Sequence, residues 1–357
     1  MRQIRLLWVV RLAVLLLGFG VCLPVSPADA AAPAAKRSTS AKKKPVTQKK
    51  KSAYSAKSSR ARKARLARAR AAAKRREQAR LRALHEIMTP RFKRDDATGA
   101  MVPDVRAAAA IVFNPETGEV LYAENAQDAR SIASITKVMT ALVFLEDNPD
   151  LSTDVTIQRS DVYAASTTYL RAKDVVTQGE LLHLMLIASD NAAARALARS
   201  SHGGTAPFIE RMNEKALELG LQSTSFADPS GLDPDNISSA YDLSRLITFA
   251  AGDQRISDIM RTPTYTVTTS RRSIQIHSTN RLLLGGDFDV MGGKTGFISK
   301  AGYCFATLLR LPQGNPVAFV ILGAKSNLGR FWETRHLFNW LTDKAGDLVG
   351  AKESESK

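Results

Sequence analysis

Ala133-Ser134-Ile135-Thr136-Lys137-Val138-Met139-Thr140-Ala141 opens an apolar run that reaches Glu146 and is broken by Asn148-Pro149. Such a run with its breaker predicts a helix beginning at Ser134. On that helix an i, i+3 spacing sets the Ser134 hydroxyl and the Lys137 amine on one face. The helix N-terminus adds backbone N–H groups that suit an anion. Ser-x-x-Lys alone is a weak signal, since it recurs at Ser40/Lys43 and Ser354/Lys357. Those two copies sit in a basic stretch and in the last four residues, where nothing encloses them.

Working outward, Ser-x-Asn occurs at Ser189-Asp190-Asn191, between two helical segments, and again at Ser278-Thr279-Asn280, at a strand end. The second is assigned a structural role. For the first, Ser189 or Asn191 as an ordinary cap of the helix starting near Ala192 is the competing reading. Lys294-Thr295-Gly296 occurs once, behind Gly292-Gly293 and ahead of a strand. In this order, with gaps of 55 and 105 residues, the three form the triplet of penicillin-binding proteins and class A β-lactamases. The flanking text agrees at Ile187–Ala194, at Phe226-Ala-Asp-Pro-Ser-Gly-Leu232 and at Gly293–Phe297. Over roughly residues 104–345 the chain resembles the low-molecular-mass penicillin-binding D-alanyl-D-alanine peptidases.

That resemblance implies roles which match what acyl transfer demands. Ser134 is the acyl-ester nucleophile, and a serine hydroxyl needs an adjacent base. Lys137 is the general base, provided desolvation or a second cation such as Lys294 lowers its pKa. Ser189 relays a proton to the leaving amine, and Asn191 orients the substrate amide. Lys294 and Thr295 suit a substrate carboxylate, and Gly296 lets the substrate backbone approach the strand. The oxyanion hole implied is the backbone N–H of Ser134 and of Phe297. The implied substrate is a peptidoglycan stem peptide ending in, or cross-linked through, D-alanine, with β-lactams as covalent inhibitors. Only 61 residues follow Gly296, without the second all-β domain and C-terminal membrane helix of similar carboxypeptidases. The expectation is therefore a D,D-endopeptidase, with D-alanyl-D-alanine carboxypeptidase as the alternative.

Around the motifs, Ala107–Phe113 and Glu119–Glu124 flank a turn at Asn114–Gly118 and predict a β-hairpin. Residues 178–188, 191–200, 205–219 and 241–251 read as helices. Tyr265–Ser278, Tyr303–Leu311 and Pro316–Gly323 read as strands, and Ser326 to about Leu348 as a final helix. Strands at both ends with helices in the middle predict an α/β (α+β) fold, an antiparallel sheet built from both chain ends with an inserted helical subdomain. This agrees with the β-lactamase/transpeptidase-like fold that the resemblance implies.

Composition bounds the rest. The 357 residues carry a formal net charge of +17, but 26 Lys+Arg and 3 acids fall in residues 1–94, leaving 25 against 31 beyond. The whole chain is therefore no nucleic-acid binder by charge. Arg2 and Arg5, the apolar run Leu6–Val25 and Ala28-Asp29-Ala30 have the layout of a cleaved export signal over residues 1–30, an uncleaved anchor being the alternative. Residues 31–103 read as a basic Ala/Lys/Arg-rich linker, disordered to partly helical, with an anionic wall or membrane surface and not nucleic acid as its expected partner, a plain soluble spacer being the alternative. The peptidase domain is placed at 104–349 and a disordered tail at 350–357. The site of action is then the periplasm or another extracytoplasmic space.

No His-x-x-x-His pair occurs, and Cys304 would be the single cysteine left after cleavage, so neither a metal nor a disulfide is expected. Cys304 is expected in the core. Gly-x-Gly-x-x-Gly and Gly-x-Ser-x-Gly are absent, Gly293-Lys294-Thr295 has Phe288 where a phosphate-binding loop has its first Gly, and no cofactor is predicted. A serine β-lactamase would need a Glu-x-x-Leu-Asn match in 192–293, and there is none. An inactive wall-binding scaffold would have no use for intact Ser134, Lys137 and Lys294.

Overall fold

The structure is a computed structural model, and it describes residues 48–355. The signal assigned to residues 1–30, and residues 31–47 of the linker, lie outside the described residues. The chain divides at Ala71/Ala72 into two units. Helix α1 is Gln48–Met88. Its Ala, Arg and Leu content favours helix, yet charge on every face denies it an apolar stripe, and residues 59–71 of the first unit are exposed throughout. The helix starts earlier than Arg60, where composition first favours it. In the second unit only Leu84 and Ile87, an i, i+3 pair, are half-buried on it.

Strands β1 (Phe92–Arg94) and β2 (Met101–Pro103) then form a small hairpin. This corrects the domain start expected at 104. Tyr122 Oη donates to the Pro103 carbonyl (2.9 Å), and Lys93 pairs with Glu124. The first hairpin of the main sheet follows, β3 (Ala109–Phe113) and β4 (Val120–Glu124). After β5 (Arg130–Ser131), a 3-10 turn at Ala133–Thr136 leads into α2 (Lys137–Glu146). Then come β6 (Asp154–Thr156), α3 (Arg159–Val162), β7 (Val175–Thr177), α4 (Gln178–Ile187), α5 (Asn191–Ser200) and α6 (Thr205–Glu218). After β8 (Ile237–Ser238) and α7 (Ala240–Gly252), a further helix α8 (Gln254–Arg261) appears that the sequence reading lacks. Its cap is Asp253, which accepts from Arg255 N.

The single strand expected over 265–278 is instead a hairpin, β9 (Thr264–Thr268) and β10 (Ser273–His277), turning without Gly or Pro. Strands β11 (Asp289–Ile298), β12 (Gly302–Arg310) and β13 (Pro316–Ala324) complete the sheet, and α9 (Gly329–Glu355) closes the chain. That helix runs through most of the tail expected to be disordered from residue 350.

The sheet has five antiparallel strands in the order β11-β12-β13-β3-β4. The pairing of β13 with β3, Ala318 opposite Phe113, joins the two ends of the domain. Period-2 alternation gives each face its own core. Ile111, Leu308 and Val320 face the buried helices α2, α4 and α7, while Val112, Phe305 and Phe319 face Phe331, Leu337 and Phe338 of α9. Cys304 is buried on β12 as expected, and burial pushes its thiol pKa up. Among the described residues no helix is long and apolar enough to cross a membrane.

Candidate active site

Three pieces of backbone meet at one edge of the sheet. The first is the 3-10 turn carrying Ser134, which feeds Lys137 into the first turn of buried α2. The second is the α4–α5 corner, where Ser189 adopts φ +60°. A left-handed serine is costly, and the corner is braced by Asp190. Its carboxylate caps α5 by accepting from Ala193 N (2.9 Å) and also accepts from Tyr169 N (2.6 Å). The cap is thus neither Ser189 nor Asn191, and both side chains are left for other work. The third piece is edge strand β11. Lys294-Thr295-Gly296 lies within this strand rather than ahead of one.

Gly293 and Gly296 are close-contact positions in that strand. A Cβ on Gly293 would fall 2.9 Å from Asn280 Nδ2, and one on Gly296 2.6 Å from the Ile132 carbonyl and 3.1 Å from Ser134 N. Gly296 is therefore required by the approach of the Ser134 turn itself, before any substrate is considered.

Lys137 is fully buried, and its Nζ donates to Ser134 Oγ (3.0 Å), to Asn191 Oδ1 (2.6 Å) and to the Ser230 carbonyl. Burial lowers its pKa to about 7, against the opposing pull of Asp228 and Asp190. Across the cleft, Lys294 Nζ donates to Ser189 Oγ (2.8 Å) and to the Thr295 carbonyl (3.0 Å). Burial, then the charges of Lys137 and Arg330, hold its pKa well below the ordinary lysine range. Asn191, expected to orient a substrate amide, has both polar ends engaged. Its Oδ1 accepts from Lys137 and its Nδ2 donates to the Ala165 carbonyl (2.6 Å). One N–H of the amide is left over, and the residue still lines the cleft. Thr295 Oγ1 donates to Thr279 Oγ1 (2.7 Å), so the neighbourhood of the second Ser-x-Asn borders the site. Phe297 is half exposed and stacks on Tyr303 (4.3 Å).

Sequence reasoning gave no role to three further groups. Ser230 supplies a carbonyl to Lys137 from a loop tied together by Asp228, which accepts from Gly231 N (2.8 Å) and Asn236 Nδ2 (2.6 Å). The run Asp228-Pro-Ser-Gly231 was visible as text, but not its contact. Arg330 on α9 is buried and donates to the carbonyls of Gly296 (2.9 Å) and Cys304 (3.0 Å) and to Asn327 Oδ1 (2.8 Å). No motif announces it. Arg281 is the third, on the cleft wall.

These groups line a cleft of about 840 Å³ that includes Ser134, Ser189, Asn191, Thr295, Phe297 and Arg330. A larger depression of about 900 Å³ lies among the β1–β2 hairpin, β4 and α9, and none of its lining residues belongs to the motifs. A hydroxyl bonded to a buried, readily neutralised amine, beside a second buried amine, is equipment for acyl transfer to and from serine.

Comparison with known proteins agrees with that chemistry. Residues 96–326 match a family model described as D-alanyl-D-alanine carboxypeptidase. A D-alanyl-D-alanine endopeptidase of Escherichia coli K12 is 30% identical over 256 residues, covering 69% of this chain and 80% of the relative. A D-alanyl-D-alanine carboxypeptidase of Bacillus subtilis is 31% identical, covering 62% of this chain and 58% of the relative. Among solved structures, the DD-transpeptidase of Streptomyces K15 superposes with a TM-score of 0.64 at 30% identity, over 68% of this chain and 98% of that one.

Proposed function

The chain belongs to the D-alanyl-D-alanine carboxypeptidase family of serine D,D-peptidases, and from that premise we propose that it is a D,D-endopeptidase acting on peptidoglycan cross-links. The observation that carries the serine chemistry is the 3.0 Å contact between the fully buried Lys137 Nζ and Ser134 Oγ, which opens onto the cleft. Once the amine is neutral, the hydroxyl donates into its lone pair and the contact runs in the direction catalysis needs. Ser134 Oγ attacks the D-alanyl carbonyl carbon as its proton passes to Lys137 Nζ. The developing oxyanion rests on the N–H groups of Ser134 and Phe297. Collapse expels the amine, protonated through Ser189, whose hydroxyl is held by Lys294. Water then cleaves the acyl ester and regenerates Ser134. Lys294 and Thr295 take the carboxylate beside the scissile bond, and a β-lactam enters by the same route and stays as the ester.

Preference for cross-links is supported by the likeness to the D-alanyl-D-alanine endopeptidase of Escherichia coli, 80% of whose length this chain matches. Export through residues 1–30 to an extracytoplasmic site, and attraction of the basic segment to an anionic wall or membrane surface, complete the reading. Chromatography of two digests tests it. Cross-linked dimeric muropeptides are expected to fall to monomers faster than monomeric pentapeptides release D-alanine. Free D-alanine beside intact dimers would make the protein a carboxypeptidase. Ser134→Ala is expected to abolish covalent labelling by penicillin while the fold persists, and labelling that survives the substitution would remove the nucleophile assignment.

A further inference from the structure

The residues lining the active-site cleft include two arginines and no carboxylate. Arg330 is spent on β11, its guanidinium holding two carbonyls and Asn327. Arg281 is different. It is exposed, and its guanidinium has no hydrogen bond or ion pair with any described residue. Its backbone is nevertheless fixed. Asn280 is 2% exposed and caps the 3-10 turn Arg281–Leu284 by accepting from Leu282 N (3.0 Å). Thr279 N donates to the Ile187 carbonyl (3.1 Å), and Thr279 Oγ1 accepts from Thr295. The free cation thus stands two residues from a side chain that touches the carboxylate-binding strand. Leu284 also lines the cleft and is 69% exposed; residues three apart in a 3-10 turn eclipse one another, so it stands on the same side as Arg281.

Burial first, and the charge of Arg281 to a lesser degree, lower the Arg330 pKa to about 10. The two cations therefore repel each other across the cleft, and a bound anion relieves that repulsion.

We propose that Arg281, flanked by Leu284, forms a subsite for a second carboxylate, one on the leaving strand of a cross-linked substrate and remote from the scissile bond. This rests on the endopeptidase reading and names what makes a cross-link the preferred substrate. A leaving D-alanine has one carboxylate, already taken by Lys294 and Thr295. A leaving stem peptide carries further carboxylates, and a guanidinium fork binds such a group bidentately.

The test uses the full chain and two synthetic cross-linked dimers, one with free carboxylates on the leaving strand and one with all but the carboxylate beside the scissile bond amidated. Wild type is expected to favour the free dimer about tenfold in kcat/KM, expressed in KM. Arg281→Gln should erase that preference and Arg281→Lys should keep part of it, and both should lose more on the free dimer than on pentapeptide. A preference that survives Arg281→Gln, or an equal loss on both dimers, overturns the subsite. If wild type cuts neither dimer, the endopeptidase reading falls by itself. The subsite is then read from protection of Ser134 against labelled penicillin. The free dimer must protect wild type better than the amidated one, and Arg281→Gln must abolish the difference, or the subsite falls too.

Discussion

At the scale of single residues, the working distinction is between a lysine that is near a serine and one that is also neutral. Spacing put Ser134 and Lys137 on one face, but neutrality comes from burial, and burial is a property of the packed α2. With a pKa of about 7, Lys137 is protonated below that pH and unable to accept the Ser134 proton. The rate of acylation by penicillin is therefore expected to climb about tenfold per unit below pH 7 and to level off above it. Lys137→Arg keeps the charge but cannot deprotonate, and a loss of about 10²–10⁴-fold is expected. A flat profile from pH 5 to 8 in stopped-flow acylation would remove Lys137 as the base.

At the scale of elements, the site depends on how closely backbone segments approach. Gly231, at φ +79°, and Gly296 press on the Ser134 turn through the carbonyls of Ala133 and Ile132, where an added Cβ would lie 2.1 Å and 2.6 Å away. Gly231→Ala and Gly296→Ala should each cost about 1–3 kcal/mol by overpacking. That corresponds to a drop of about 3–10 °C in the unfolding midpoint, with slower penicillin labelling as the turn shifts. Gly252→Ala, with open space around it, serves as the control and should stay within about 2 °C of wild type. If Gly296→Ala acylated as fast as the control, the tight contact would not be what seats Ser134. The same contacts explain why Lys294-Thr295-Gly296 was placed ahead of a strand and not within one. Glycines that admit neighbouring backbone are indistinguishable in text from glycines that turn the chain.

At the scale of the whole molecule, the charge divides sharply. Eleven arginines and lysines stand between Arg60 and Arg82 against the single acid Glu77, while residues 95–357 are mildly acidic. Exposed like charges of this density are screened over about 8–10 Å at physiological salt. Deleting residues 31–71 leaves the second unit whole, and penicillin labelling should persist. Binding to isolated sacculi or anionic vesicles should weaken at low salt, and the wild-type advantage should shrink as salt rises. Equal retention of the two proteins in a low-salt pull-down would make the segment a spacer.

The sequence alone determined the triplet, the hairpin at Ala107–Glu124, helices α2 and α4 to α7, and the meeting of both chain ends in one antiparallel sheet. These depend on period, breakers and residue type, which are local quantities. Packing decided the rest. The β1–β2 hairpin is short and exposed, with too little alternation to announce itself, and β9–β10 turns at Ser270-Arg-Arg-Ser273, where no Gly or Pro marks the bend. Asn191 was legible as a candidate site residue, but not that its amide would also bridge Lys137 and the Ala165 carbonyl. Ser230, Arg281 and Arg330 were not legible at all. A carbonyl, an exposed arginine and an arginine in a final helix carry no pattern, and only the folded chain sets the Ser230 carbonyl on Lys137 and the two arginines along the cleft. A pKa near 7 and a cation left without a partner are likewise set by what surrounds a group in space, which its neighbours along the chain do not determine.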